Sequence, residues 1–161
     1  WLLIPYYTAD GYIQGLQFRR GELKANKYGW LNSQKYKTGA GPGKPIHFCQ
    51  PWIGSNKITV TEGVLKGEIL HQYFPSHDVI CIDGVNTGHP QVLAATAEKN
   101  LYIAFDQDWK TNPTVAHHLN RLLTERRNQP TFIYTWENAK GIDDALQKNQ
   151  PLKIVRHGSC E

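Results

Sequence analysis

Ile58-Thr59-Val60-Thr61-Glu62-Gly63 and Leu101-Tyr102-Ile103-Ala104-Phe105-Asp106-Gln107-Asp108 decide the fold. Each is a short run of apolar and β-branched residues that stops on carboxylates, which reads as a buried strand ending in a turn. Between and beyond them the pattern alternates. Residues 64–74 read as a helix, with Leu65, Ile69, Leu70 and Phe74 on one face. Residues 79–82 read as a strand closed by Asp83-Gly84, 90–99 as an Ala-rich helix, and 101–105 as a strand. Residues 113–128 read as the longest helix, with Pro113 in its first turn and Val115, Leu119, Leu122 and Leu123 as its apolar stripe. A strand over 131–136 and a short helix over 142–149 complete the series. Strands alternating with helices imply an α/β fold with a parallel sheet. In such sheets ligands bind outside the carboxyl ends of the strands. Glu62, Asp83, Asp106 and Asp108 all fall there. A carboxylate set with no soft donors suits Mg²⁺ or Mn²⁺. Two such ions can hold the attacking and leaving oxygens of a phosphoryl transfer.

The first 56 residues differ. Leu2–Tyr7 reads as a strand, Thr8-Ala9-Asp10-Gly11 as a turn, and Tyr12–Arg19 as a second strand, together a hairpin. Tyr28-Gly29-Trp30-Leu31 reads as a third strand, and Gly39, Gly41, Pro42, Gly43 and Pro45 mark a mobile loop. Basic residues gather here: Arg19, Arg20, Lys24, Lys27, Lys35, Lys37 and Lys44, with Glu22 as counter-charge and Tyr28, Trp30, Tyr36 and Trp52 between them. Cations neutralise phosphates and aromatic faces stack unpaired bases. An ordinary solvated surface over buried aromatics gives the same composition. The expected organisation is a basic, β-rich subdomain over 1–56 and an α/β catalytic domain over 57–161.

Composition bounds the rest. The chain has 161 residues, an apolar fraction of 40%, enough for a core, and a net charge of +4, too small to announce nucleic acid by itself. Trp1 and the absence of Met read as a piece of a longer protein. Cys49, Cys81 and Cys160 are distant in sequence and odd in number, and read as reduced thiols of a cytoplasmic protein. His47 and Cys49 lack two further ligands nearby, so they are not read as a zinc site. The Gly39–Lys44 stretch lacks the spacing and the Ser or Thr of a phosphate loop. No apolar run approaches the ~20 residues of a membrane helix.

Thr61-Glu62-Gly63 followed by Phe105-Asp106-Gln107-Asp108 resembles the Toprim domain of bacterial primases, type IA and II topoisomerases and some nucleases. The upstream elements sharpen the likeness. Leu3-Ile4-Pro5-Tyr6, Asp10-Gly11-Tyr12-Ile13-Gln14-Gly15, Phe18-Arg19 and Lys27-Tyr28-Gly29-Trp30-Leu31-Asn32-Ser33 resemble the basic subdomain that precedes Toprim in DnaG-like primases. Lys140-Gly141-Ile142-Asp143-Asp144 resembles the final acidic motif. The whole is most similar to primase-like Toprim domains of plasmid and mobile-element replication proteins.

The resemblance implies a Toprim-type parallel sheet flanked by helices. It implies metal-dependent nucleotidyl transfer: primer synthesis on single-stranded DNA from nucleoside triphosphates, with Mg²⁺ (or Mn²⁺) as cofactor. It places catalysis on Glu62, Asp106 and Asp108, with Asp143 added to the metal ligands. Arg19, Arg20, Lys27, Lys44, Lys66 and Lys110 would hold template or nucleotide. A helicase domain or protein would lie outside this chain. The pattern departs at Lys66, where bacterial primases often carry a further acidic residue. A lysine one turn after Glu62 faces the same site; it binds a phosphate or removes a metal ligand. Two other functions share these residues: a Toprim nuclease, and a non-catalytic nucleic-acid or nucleotide-binding module. Plainer roles also stand beside the functional ones. Asp106, Asp108 and Asp83 are common turn residues, Asp143 suits a helix N-cap, and Lys66 suits a solvated helix surface.

Overall fold

A computed structural model describes residues 1–21, 27–31, 43, 45–127 and 129–158. The loop expected over 39–45 falls mostly outside them, as do Lys24, Lys35, Lys37 and Lys44.

Two sheets build the molecule. The smaller is antiparallel, in the order β1 (Leu2–Tyr7), β2 (Ile13–Arg19), β3 (Tyr28–Leu31). Its hairpin closes as Asp10-Gly11 predicts: Gly11 sits at φ 80° and donates to Thr8 O at 3.0 Å. The larger sheet contains β4 (His47–Phe48), β5 (Lys57–Glu62), β6 (Asp78–Ile82), β7 (Asn100–Ala104), β8 (Thr131–Thr135) and β9 (Lys153–His157). Its order is β4-β6-β5-β7-β8-β9, with the four central strands parallel and the two outer ones antiparallel. The helices are α1 (Val64–Tyr73), α2 (His89–Ala95), α3 (Pro113–Arg126) and α4 (Ile142–Gln147), and a 3-10 turn spans Gln107–Lys110.

Strand period places each side chain on one of two faces. Val79, Cys81, Ala104 and Tyr134 join Val64 and Leu70 of α1 and Ile142, Ala145 and Leu146 of α4 in one core. Ile58, Val60, Ile80, Ile82, Leu101 and Ile103 join Val92 of α2 and Leu119, Leu122 and Leu123 of α3 in the other. Ile4 and Tyr6 of the small sheet pack into the first core, so that sheet sits over the α1–α4 face. Arg126 closes the far end of α3. It is buried and donates to Thr96 O at 2.6 Å, Lys99 O at 2.7 Å and Pro130 O at 3.1 Å.

Two expectations are corrected. The buried face of α1 is Val64, Gly67 and Leu70, whereas Leu65 is exposed. That helix lies between the large sheet and α4, and the small sheet leaves a groove over Leu65. The helix expected over 90–99 ends at Ala95: Thr96 turns its hydroxyl back onto Val92 O, and Glu98 takes φ 60°. Cys49 and Cys81, distant in sequence, meet with sulfurs 3.7 Å apart because β4 pairs with β6. Among the described residues no helix is long and apolar enough to cross a membrane.

Candidate functional site

The chain runs from β5 through α1 to β6 on one side, then returns through α2 to β7 on the other side of β5. The crevice between the ends of β5 and β7 is therefore the point where strand order reverses, where open α/β sheets bind ligands. Glu62 ends β5, and Asp106 follows β7 by two residues. The Asp106 amide donates to Glu62 Oε1 at 3.4 Å, which ties the two strand ends together. Asp108 lies in the 3-10 turn, one side chain further along the same rim.

Two ammonium groups answer these carboxylates. Lys66, in the first turn of α1, pairs with Asp106 Oδ1, and the two side chains are 15% and 17% exposed. Lys140 Nζ lies 3.8 Å from Asp106 Oδ2 and 3.6 Å from Asp108 Oδ2, from a side chain that is largely exposed. Gly141 makes this packing possible. A Cβ there would come within 2.3 Å of Asp143 Oδ1 and 3.4 Å of Lys66 Nζ. Asp143 stands in the first turn of α4, whose N-cap is Gly141, so it does not cap the helix. Burial, reinforced by Asp106, holds the Glu62 carboxyl above its ordinary range, while Lys66 and the Asp106 amide pull it down.

The donor set fits a small, hard divalent cation. All of its atoms are carboxylate oxygens. Asp108 Oδ1 is buried and meets no hydrogen-bond donor among the described residues. With Lys66 and Lys140 in place, the set carries less uncompensated negative charge than carboxylates alone.

A cleft of about 420 Å³ opens beside it, between the two sheets. Glu62, Lys66, Asp83 and Asp143 line one wall, and Gln17, Arg19 and Tyr28 of the small sheet line the other. Asp83 accepts from Gln17 Nε2 at 2.7 Å, an interaction that joins the walls. The Arg19 guanidinium lies 6.0 Å from the centre of the Tyr28 ring. Gln17 was not singled out from sequence, whereas Tyr28 is among the aromatics read as stacking faces beside the basic residues. The signal for Gln17 was a polar residue among the packed positions of β2, where it is 4% exposed.

The expected binding residues divide. Arg19 and Lys66 face the cleft. Arg20 lies over Phe18, 4.9 Å from the ring centre, and Lys27 is exposed; neither lines the cleft. Lys110 lines a separate cavity of about 440 Å³ with Trp136 and Lys153. Lys44 lies outside the described residues.

The fold is similar to that of primase catalytic cores. The structure of the DnaG catalytic core matches with a TM-score of 0.64 at 14% identity, covering 92% of this chain and 49% of that one. The DnaG primase catalytic domain bound to ssDNA matches at 0.62 and 14% identity, over 91% of this chain and 47% of that one. The RNA polymerase domain of Mycobacterium tuberculosis primase DnaG, in complex with double-stranded DNA, matches at 0.63 and 14% identity, over 89% and 47%. The chain thus spans about half the length of these structures. No curated protein matches it. A family model described as a domain of unknown function, DUF3854, matches residues 50–152, which contain every carboxylate and lysine of the acidic site. The chain belongs to the DUF3854 family.

Proposed function

We propose that this chain is the catalytic core of a Toprim-type primase, which joins nucleotides into a primer on single-stranded DNA. One observation carries the reading: Glu62, beside Asp106 at the strand-order reversal, lines together with Asp143 a cleft whose other wall presents Arg19 and Tyr28. A metal site alone serves many reactions. A metal site facing a cation and an aromatic face suits a phosphate-bearing chain with exposed bases.

Asp106 and Asp108, with Glu62 and Asp143 beside them, would hold Mg²⁺ or Mn²⁺, which when bound supplies positive charge to phosphate oxygens. Lys66 and Lys140 add fixed charge at the same rim. Glu62, with its carboxyl held above the ordinary range by burial and Asp106, can hold and release a proton at Oε. Arg19 positions phosphate, and Tyr28 offers a stacking surface. The work of the protein is then positioning and charge stabilisation. The sequence resemblance supports replication of a plasmid or mobile element in the cytoplasm as the setting, with nucleoside triphosphates as substrates and a helicase as partner.

The test is primer synthesis from labelled nucleotides on single-stranded DNA with Mg²⁺ or Mn²⁺. Product from the wild type and none from folded Asp106→Ala supports the reading. Unchanged synthesis by Asp106→Ala defeats it. Cleavage of labelled DNA without synthesis points instead to a nuclease. The pairing of Lys66 with Asp106 favours a second reading, a nucleotide-binding module in which the ammonium stands where a cation would. Nucleotide binding without synthesis, and no Mn²⁺ anomalous peak near Asp106 and Asp108 in a soaked crystal, would select it.

A further inference from the structure

We infer that His47, Cys49 and Cys81 form a second metal site, for a zinc-class ion, on the face of the large sheet covered by α1. The argument begins with distance. The two sulfurs are 3.7 Å apart. Two thiolates on a tetrahedral Zn²⁺, each about 2.3 Å from the ion, stand about 3.8 Å apart. A disulfide would bring them to about 2.05 Å. The thiols are thus already spaced for an ion between them. A ring nitrogen of His47 completes a cluster whose ligand atoms all lie within 4.8 Å of one another.

Glu68 orients the imidazole. Its Oε1 lies 2.9 Å from His47 Nε2. The role of His47 follows from its other nitrogen. The Tyr7 amide donates to His47 Nδ1 at 3.1 Å, so the ring proton resides on Nε2 and is donated to Glu68. Nδ1 therefore carries the lone pair, which an ion would take in place of the Tyr7 amide, and Glu68 is the positioning residue that holds the ring. Two thiolates, one imidazole nitrogen and an open fourth position make a recognised zinc arrangement. On binding, the ion displaces the two thiol protons to solvent.

The surroundings are shaped for this cluster. A Cβ on Gly67 would fall 2.0 Å from Cys81 Sγ and 3.4 Å from Cys49 Sγ. A glycine inside a helix is unfavourable on its own, and here it leaves room for both sulfurs against the helix backbone. An entry route exists as well. A groove of about 310 Å³, walled by Pro5, Tyr7, Val64 and Leu65, reaches His47 and Glu68 from solvent. The Glu68 side chain is 42% exposed along it, while both cysteines are buried. The donor chemistry differs from that of the acidic site: soft sulfur here selects zinc-class ions, hard oxygen there selects Mg²⁺.

The test uses Co²⁺ as a visible substitute for Zn²⁺, in a Cys160→Ser background that leaves two thiols. One Co²⁺ per chain, with a thiolate-to-cobalt charge-transfer band that Zn²⁺ abolishes, is expected. Cys49→Ser or Cys81→Ser should remove the band. Glu68→Gln, at a half-exposed position, should weaken binding about 10–100-fold with the band retained, and His47→Gln, which removes a ligand, should weaken it more than that. Asp106→Asn, which disables the acidic site, should leave the band untouched, so the two sites fail independently. A chain folded by circular dichroism that shows no band, or a band that survives loss of either cysteine, overturns the site.

Discussion

Replacing Lys66 by Met tests whether the ammonium stands in for cation charge at the acidic site. Met keeps the stem that packs beside Gly141 and removes only the charge. The Lys66 and Asp106 side chains are 15% and 17% exposed, so the pair is largely withdrawn from water. Removing one partner of a fully buried pair costs about 3–5 kcal/mol, because the other charge is left uncompensated. Two features reduce that here. The pair keeps some solvent, and Lys140 remains 3.8 Å from Asp106, though at 68% exposure it is well screened. The expected loss is about 2–3 kcal/mol, which lowers Tm by roughly 5–10 °C in a domain of this size. The loss should be conditional. In the variant, Asp106 Oδ1 is free to meet a divalent ion, and an ion at a hundredfold excess over its Kd returns about 2.7 kcal/mol. Thermal unfolding of both proteins in EDTA and in excess Mg²⁺ reads this directly. Mg²⁺ should raise the Tm of Lys66→Met by more than that of the wild type. A cycle with Asp106→Asn should show the two residues coupled by about 0.5–3 kcal/mol. Equal Tm values in EDTA, or equal Mg²⁺ shifts, would refute the argument.

Two further outcomes follow from buried charge. Glu62 has a folded pKa above its unfolded one, so its proton stabilises the fold at low pH and that contribution is lost as pH rises through the folded pKa. Glu62→Gln should therefore gain in Tm over wild type on going from about pH 4 to pH 8; a difference that stays constant across the range contradicts the assigned burial. Arg126→Met should cost roughly 3–5 kcal/mol in urea unfolding, since it orphans the carbonyls of Thr96, Lys99 and Pro130 at about 1–3 kcal/mol each, partly rehydrated. An unchanged urea midpoint would show that these carbonyls find other donors.

Local pattern made the central strands readable and left the contacts between distant segments unread. Ile58–Thr61 and Leu101–Phe105 declare themselves because both sheet faces are covered and every position must pack. The edge strands have no such signature. All five residues of β9 are exposed, and β4 is only two residues long. The face of α1 was misread for a related reason. Leu65 and Ile69 look like core by composition, but the position facing the sheet is Gly67, which periodicity scores as no signal. The carboxylates of the acidic site were legible because strand ends and ligand crevices coincide in parallel sheets. The thiol pair was not, since 32 residues separate Cys49 from Cys81 and only the β4–β6 pairing joins them.

The position of Lys66 follows from the backbone. Gly63 takes φ 77° and its amide bonds Ile82 O at 2.8 Å, so Gly63 serves as the N-cap and α1 starts at Val64. The third residue of that helix is then carried over the crevice toward Asp106, whatever its identity. A carboxylate there would add to a crowded negative site and ask for more cation. The lysine found there supplies charge permanently and leaves Asp108 Oδ1 as the unfilled acceptor. Fixed ammonium at one oxygen and an open acceptor at the next favour a site that takes fewer ions than a trio of bare carboxylates. On the proposed reading, a divalent ion would sit nearer Asp108 than Asp106. Asp108→Asn should then abolish Mn²⁺ binding in calorimetry, while Asp106→Asn, which also releases Lys66, should weaken it less. The reverse order of loss would mean that the lysine withdraws when the ion arrives.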